Sequence, residues 1–103
     1  MAVHAAVKWN LAENKNRVRR IVLDVLKPRD PPIYELASQL AECRGVRDVS
    51  ITVAEIDQST ESIKVSIEGG GVNIEDVKEC LERYGASIHS VDEVKVTRSE
   101  TEA

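Results

Sequence analysis

The order of the hydrophobic patterns in this sequence predicts an α+β domain. Four segments alternate apolar and polar residues with the two-residue period of a strand, and two repeat apolar residues at helical spacing. Along the chain they occur as strand, helix, strand, strand, helix, strand. This order is typical of the ferredoxin-like βαββαβ fold, in which a four-stranded antiparallel sheet of order 4-1-3-2 carries both helices on one face.

The length of 103 residues predicts one domain, because domains usually contain about 100–150 residues. We expect the fold to occupy residues 17–96. Residues 1–16 fit a strand and a helix equally well and end in a polar run, so we expect an N-terminal arm there. Residues 97–103 are acidic and poor in apolar side chains, which predicts a disordered tail.

The first strand is predicted at residues 19–28, an apolar, β-branched run that ends in proline. Ile21, Leu23 and Val25 fall on one side of this strand, and Arg20 and Asp24 fall on the other. Burying the charged pair would cost several kcal/mol for each group. We therefore expect the apolar set to face the core.

A helix is predicted after the proline-rich connector that follows this strand. Asp30 is expected to be its N-cap, with two prolines in the first turn. The helix should continue to about Arg44, where Gly45 supplies a left-handed stop. Its apolar stripe consists of Ile33, Leu36, Ala37, Leu40 and Cys43.

The second helix is predicted to start after the glycine run at residues 69–71. Asn73 is expected to cap it, with Asp76 forming a partial capping box, and Gly85 to end it. Its apolar stripe consists of Ile74, Val77, Cys80, Leu81 and Tyr84.

Three further strands complete the predicted sheet. Residues 46–57 and 62–68 alternate as a hairpin with one apolar face, joined by a polar turn at residues 57–61. The last strand, at residues 86–96, alternates imperfectly, and a bulge near His89 and Ser90 would reconcile its two halves. The free face of the sheet should then carry a mixture of polar and small apolar side chains.

The composition excludes several classes of function. A net charge of −4, the absence of phenylalanine and the helical positions of both tyrosines argue against nucleic-acid binding. No apolar run is long enough to cross a membrane. Cys43 and Cys80 lack metal-finger or CxxC spacing, so we expect buried thiols in a reducing, cytoplasmic setting.

Three blocks of the sequence form a more specific pattern. They are LDVLKP at residues 23–28, EIDQ and TE within residues 55–61, and IHSVDEV at residues 88–94. Together they resemble the archaeal family called domain of unknown function 211, over residues 18–96. The resemblance implies a ferredoxin-like fold, an archaeal cytoplasmic setting and homo-oligomeric rings, and it implies no established activity. The family usually has histidine where this chain has Arg29, and it lacks a long N-terminal arm.

The candidate site residues lie mainly in these blocks, and we assign no catalytic residue. Carboxylate oxygens near strand ends suit Ca²⁺ or Mg²⁺. The metal candidates are Asp57, Asp92 and Glu93, and the ligand-binding candidates are Asp24, Lys27, His89 and Ser90.

Two classes of function remain. The first is a non-enzymatic regulatory or assembly module that forms a homo-oligomer and senses a small ligand or a divalent cation. The two edge strands of the predicted sheet are long, β-branched and free of proline. The unpaired backbone groups of such edges favour pairing with a strand of another chain. The alternative is an enzyme with an intersubunit active site around His89 and Asp92, in which Asp92 or Glu93 orients His89 for general acid–base catalysis.

Overall fold

The computed structural model describes residues 16–99. Its elements are β1 (Arg17–Pro28), α1 (Ile33–Leu40), β2 (Val46–Ile56), β3 (Thr60–Gly69), α2 (Ile74–Arg83) and β4 (Ser87–Thr97). The strands form a sheet in the order β2-β3-β1-β4, with antiparallel neighbours throughout. The ferredoxin-like prediction is therefore confirmed. The predicted arm and tail lie outside the described residues, apart from Asn16 and residues 97–99.

The core lies between one face of this sheet and the two helices. Ile21, Leu23 and Val25 of β1 lie opposite Ile67, Val65 and Ile63 of β3, and all six side chains are at most 3% exposed. Leu36 and Leu40 of α1 and Val77, Cys80 and Leu81 of α2 belong to the same cluster. The predicted orientation of β1 is therefore correct.

Helix α1 is shorter than its apolar stripe predicts. It begins at Ile33 with Pro32 as N-cap, and no side chain caps it. Asp30 does not act as the cap, because the helix starts only at Ile33 and both prolines lie before it. The helix ends at Leu40 rather than Arg44, since the next residues turn more tightly, with Glu42 and Cys43 donating to carbonyls three residues back.

Glycines bring the end of β3 against the start of β2. Gly45 has the predicted left-handed conformation, with a φ of +80°, but it leads into β2 and does not end α1, which stops at Leu40. A Cβ added at Gly45 would lie 1.7 Å from the Gly71 carbonyl oxygen, and one added at Gly69 would lie 1.8 Å from the Gly45 carbonyl oxygen. These backbones therefore approach more closely than any side chain would permit.

The N-terminus of α2 is tied to the turn before β2. Asn73 caps the helix as predicted, and its Oδ1 accepts a hydrogen bond from the Asp76 amide at 2.9 Å. In a full capping box the Asp76 carboxylate would also accept from the Asn73 amide. Here the carboxylate accepts instead from Arg44 Nε at 2.9 Å and Nη2 at 3.1 Å. The Asn73 amide donates to the Arg44 carbonyl oxygen instead.

Strand β4 pairs with β1 through an irregular register. Val25 lies opposite Ile88, whereas its neighbour Asp24 lies opposite Ser90, which leaves His89 as an extra residue. The predicted bulge near His89 is thus confirmed. A second shift leaves Asp92 between the partners of Leu23 and Val22.

Replacing Leu23 should test this packing. Leu23→Ala removes a side chain that is 1% exposed, and we expect a loss of about 2–5 kcal/mol in the free energy of unfolding. Thr52→Ala, at an exposed position on β2, is the control and should change stability by no more than about 0.5 kcal/mol. Urea denaturation of both variants is the measurement, and equal stabilities would contradict the register.

Candidate functional site

The face of the sheet opposite the helices, called here the open face, carries paired charges on three adjacent strands. Asp24 of β1 lies opposite Lys64 of β3 and Ser90 of β4. Two residues along β1, Val22 lies opposite Ser66 and Glu93. Because register partners in an antiparallel sheet share a face, these side chains form a continuous polar strip.

One ion pair of the open face crosses the central strand. Lys64 Nζ donates to Asp92 Oδ2 at 2.7 Å, and Ser90 Oγ donates to Asp92 Oδ1 at 2.7 Å. Lys64 first, and then Ser90, hold the pKa of Asp92 below its ordinary value. The same contact raises the pKa of Lys64, and the charge of Asp24 adds to that effect. This group of Asp24, Lys64, Ser90 and Asp92 is called the polar cluster below.

A second ionic group lies farther along the same strands. Arg20 forms a salt bridge with Glu68 of β3, and its Nε donates to Glu93 of β4 at 3.2 Å. Val22 lies between the two groups and is 8% exposed, although it faces away from the helices. The charged side chains on either side therefore shield Val22 from water, as the helices shield the residues on the opposite face.

The structure brings together some of the predicted ligand-binding residues. Asp24 and Ser90 belong to the polar cluster, and His89 lies exposed on the adjacent bulge, where its charge helps to lower the pKa of Asp92. Lys64 is not among the predicted site residues, although it belongs to the polar cluster. Its contact with Asp92 depends on a register shift that alternation along one strand does not reveal.

Lys27 lies away from this group, on the helix side of β1. Its side chain is 1% exposed, and its ammonium donates to the carbonyl oxygens of Pro28 at 2.7 Å and Arg29 at 3.3 Å. A third bond runs to Glu61 Oε1 at 3.1 Å. All three N–H groups thus have partners, and they fix the connector between β1 and α1. Lys27 lies two residues after the core residue Val25, so the alternation of β1 places Lys27 on the helix side of the strand.

The three predicted metal ligands occupy separate places. Asp57 follows β2 in an exposed turn, where its carbonyl oxygen accepts from Arg29 at 3.4 Å. Asp92 pairs with Lys64, and Glu93 pairs with Arg20. Within residues 16–99, no group of three or more His, Cys, Asp or Glu side chains is placed to hold a metal ion.

The outer strand β4 carries apolar side chains that the helices leave exposed. Val91, Val94 and Val96 are 55%, 50% and 44% exposed. Their partners on β1 are the buried residues Leu23, Ile21 and Val18, so the three valines lie on the core side of the sheet. They form an apolar row, called here the valine row, at the rim of the core.

The described helices are too short to cross a membrane as apolar spans.

Comparison with known proteins finds a matching family and a similar protein from an archaeon. Residues 19–102 match the model of the family DUF211, described as uncharacterized ArCR. The chain is 47% identical over 79 residues to "Uncharacterized protein MJ0319" of Methanocaldococcus jannaschii. The matched region covers 77% of this chain and 81% of that relative.

The ion pair between Lys64 and Asp92 should make stability depend on pH. Because the pKa of Asp92 is lowered in the folded chain, its contribution is present above the unfolded value and is lost as the pH falls through the folded value. We expect Asp92→Asn to lower the melting temperature at pH 7 and to have a smaller effect at pH 3.

Thermal melting of the parent and the variant at both pH values is the measurement. Asp57→Asn, which alters an exposed carboxylate in a turn, is the matched control. An Asp92→Asn effect of the same size at both pH values would argue against a stabilising ion pair.

Proposed function

The chain belongs to the DUF211 family, and we propose that it is a non-enzymatic assembly module that joins copies of itself through the edges of its sheet. The observation that carries this proposal is the valine row. Its side chains lie on the side of the sheet that is core elsewhere, yet about half of each remains exposed. A second copy of this chain is the partner we propose for them.

The backbone supports the addition of a strand at this edge. Both β2 and β4 contain 11 residues, and each is paired with a neighbouring strand on one side only within the described sheet. In one subunit β2 and β4 run in opposite directions, because three antiparallel steps separate them. Placing β4 of one copy beside β2 of the next therefore continues a fully antiparallel sheet with the helices on the same face.

The same arrangement would cover the valine row. Val49, Ile51 and Val53 of β2 are partly buried and pack against the core beneath the helices. Joining β4 to β2 would place the valine row beside these three β2 residues. Helix α1 of the neighbouring copy would then lie over the junction. Two β4 strands paired with each other would instead bring six valines together without a helix above them. We therefore favour the contact between β4 and β2.

The two ionic groups of the open face support β4 in this role. Arg20 contacts Glu93, and Lys64 contacts Asp92, so both attach the outer strand to the centre of the sheet. Contacts between two unlike edges are head-to-tail, and they close into a ring when the rotation between copies allows it. A homo-oligomeric ring is thus the assembly that we propose.

An enzyme with an active site between subunits is the alternative, because His89 and Asp92 both lie on β4. General acid–base catalysis would need Asp92 to orient the imidazole. The observed partners of the nearby carboxylates are other groups, namely Lys64 and Ser90 for Asp92 and Arg20 for Glu93. This geometry favours the assembly module.

The mass in solution tests the proposal. The parent chain should elute at a multiple of its 11.4 kDa subunit mass in light scattering at micromolar concentration. Val94→Lys should shift this mass towards that of the single chain, because it places a charge in the contact. Leu26→Lys is the matched control, since Leu26 is a 43% exposed apolar side chain on the open face of the central strand β1, outside the proposed junction.

Native mass spectrometry of the parent would give the number of subunits. More than two subunits would support the contact between unlike edges, whereas two would indicate paired β4 strands. A parent mass of 11.4 kDa would overturn the proposal.

A further inference from the structure

Two thiols that are far apart in the sequence lie side by side between the helices. Cys80 lies on α2 and is 1% exposed, whereas Cys43 lies in the turn after α1 and is partly buried. Cys43 packs against the core cluster that contains Cys80, and it lines one cleft with Asp76, Glu79 and Arg83 of α2. Both cysteines are free, and they come from different elements of the fold.

The contacts of the neighbouring residues hold this pair in place. The backbone N–H of Arg44, the residue after Cys43, donates to Asp76 Oδ2 at 3.2 Å. Asp76 lies one helical turn before Cys80 on α2, so both face the turn after α1. The side chain of Arg44 adds two more bonds to the same carboxylate. The segment that carries Cys43 is therefore anchored to the face of α2 that carries Cys80.

A cleft gives small molecules access to one of the two thiols. Its volume is about 220 Å³, and Cys43 forms part of its wall. Cys80 lies beneath the surface, so a molecule in the cleft meets Cys43 first. The lining residues are Gln39, Glu42, Cys43, Asp76, Glu79 and Arg83.

We propose that Cys43 and Cys80 form a reversible dithiol–disulfide site, oxidised by low-molecular-weight disulfides that enter the cleft. The Cys43 thiolate attacks the small disulfide, forms a mixed disulfide and releases one small thiolate, which takes up a proton. The Cys80 thiolate then attacks Cys43 Sγ, forms the protein disulfide and releases the second small thiolate. Two protein thiols are oxidised, and the small disulfide is reduced to two thiols. The product joins the turn after α1 covalently to α2.

The surroundings of the pair make its oxidation slow near neutral pH. Burial first, followed by the charges of Cys80 and Asp76, raises the pKa of Cys43 to about 11. Burial also raises the pKa of Cys80, whereas Arg83 and the neighbouring Cys43 act in the opposite direction. Glu42 and Glu79 are the other charged groups of the cleft. Because thiolates are the attacking species, the dithiol form should persist under mild conditions.

The experiment uses the full chain and oxidised glutathione as the disulfide. After incubation across pH 7–10, the remaining thiols are blocked with N-ethylmaleimide, and the intact mass and tryptic peptides are measured. We expect the chain to lose two hydrogen atoms and bind no maleimide, and peptides 30–44 and 79–83 to be joined. The initial rate should rise about tenfold per pH unit, in step with the fraction of Cys43 thiolate.

Two variants separate the steps. Cys80→Ser should stop at the glutathione adduct on Cys43, and Cys43→Ser should react much more slowly than the parent, because Cys80 is buried. Circular dichroism checks that both variants fold. Peptide mapping of the parent does not depend on either variant. A stable glutathione adduct in the parent, a disulfide between two chains, or two unmodified thiols at pH 10 would each overturn the proposal.

Discussion

Strand β1 is the element on which the other parts of the structure depend, because it is paired along both edges and packed against the helices on one face. β3 and β4 bond to it on either side, and its helix-facing residues are nearly inaccessible to water. Its register with β3 aligns three apolar pairs that form the centre of the core. Its last residues continue the same alternation, so Lys27 is buried, with its charge compensated by Glu61 and two carbonyl oxygens. A buried ammonium is tolerated there because each of its hydrogens has a partner.

The open face follows a different physical rule from the core. The paired side chains of its two ionic groups are between 33% and 53% exposed, and ion pairs in contact with water add little to stability. Their consequence is geometric, because Lys64 and Arg20 each link the outer strand to the rest of the sheet. The bulges of β4 break its alternation, yet they bring Asp92 within reach of Lys64. Strand β4, whose register is irregular, thus also carries the predicted polar residues of the block IHSVDEV at residues 88–94.

The two edges of the sheet differ in how well the helices cover them. Val49, Ile51 and Val53 of β2 pack against the core, whereas the valine row of β4 remains about half exposed. This asymmetry favours a contact between unlike edges. The thiol pair lies on the helix side, in the gap between α1 and α2, and so the proposed redox site and the proposed contact surface occupy different parts of the molecule.

The sequence by itself determined the order of the elements, the side of β1 that faces the core, the Gly85 stop, the Asn73 cap and the bulge at His89. Each of these depends on residues within a few positions of one another, where alternation, helical spacing and backbone preference act. The tertiary structure alone decided the contacts of Arg44 with Asp76 and of Lys64 with Asp92, and it placed Cys43 against the core cluster that contains Cys80. The two contacts join residues 32 and 28 positions apart. Such pairs depend on how separate elements are packed and on register shifts between strands, and neither property has a local signature in the sequence.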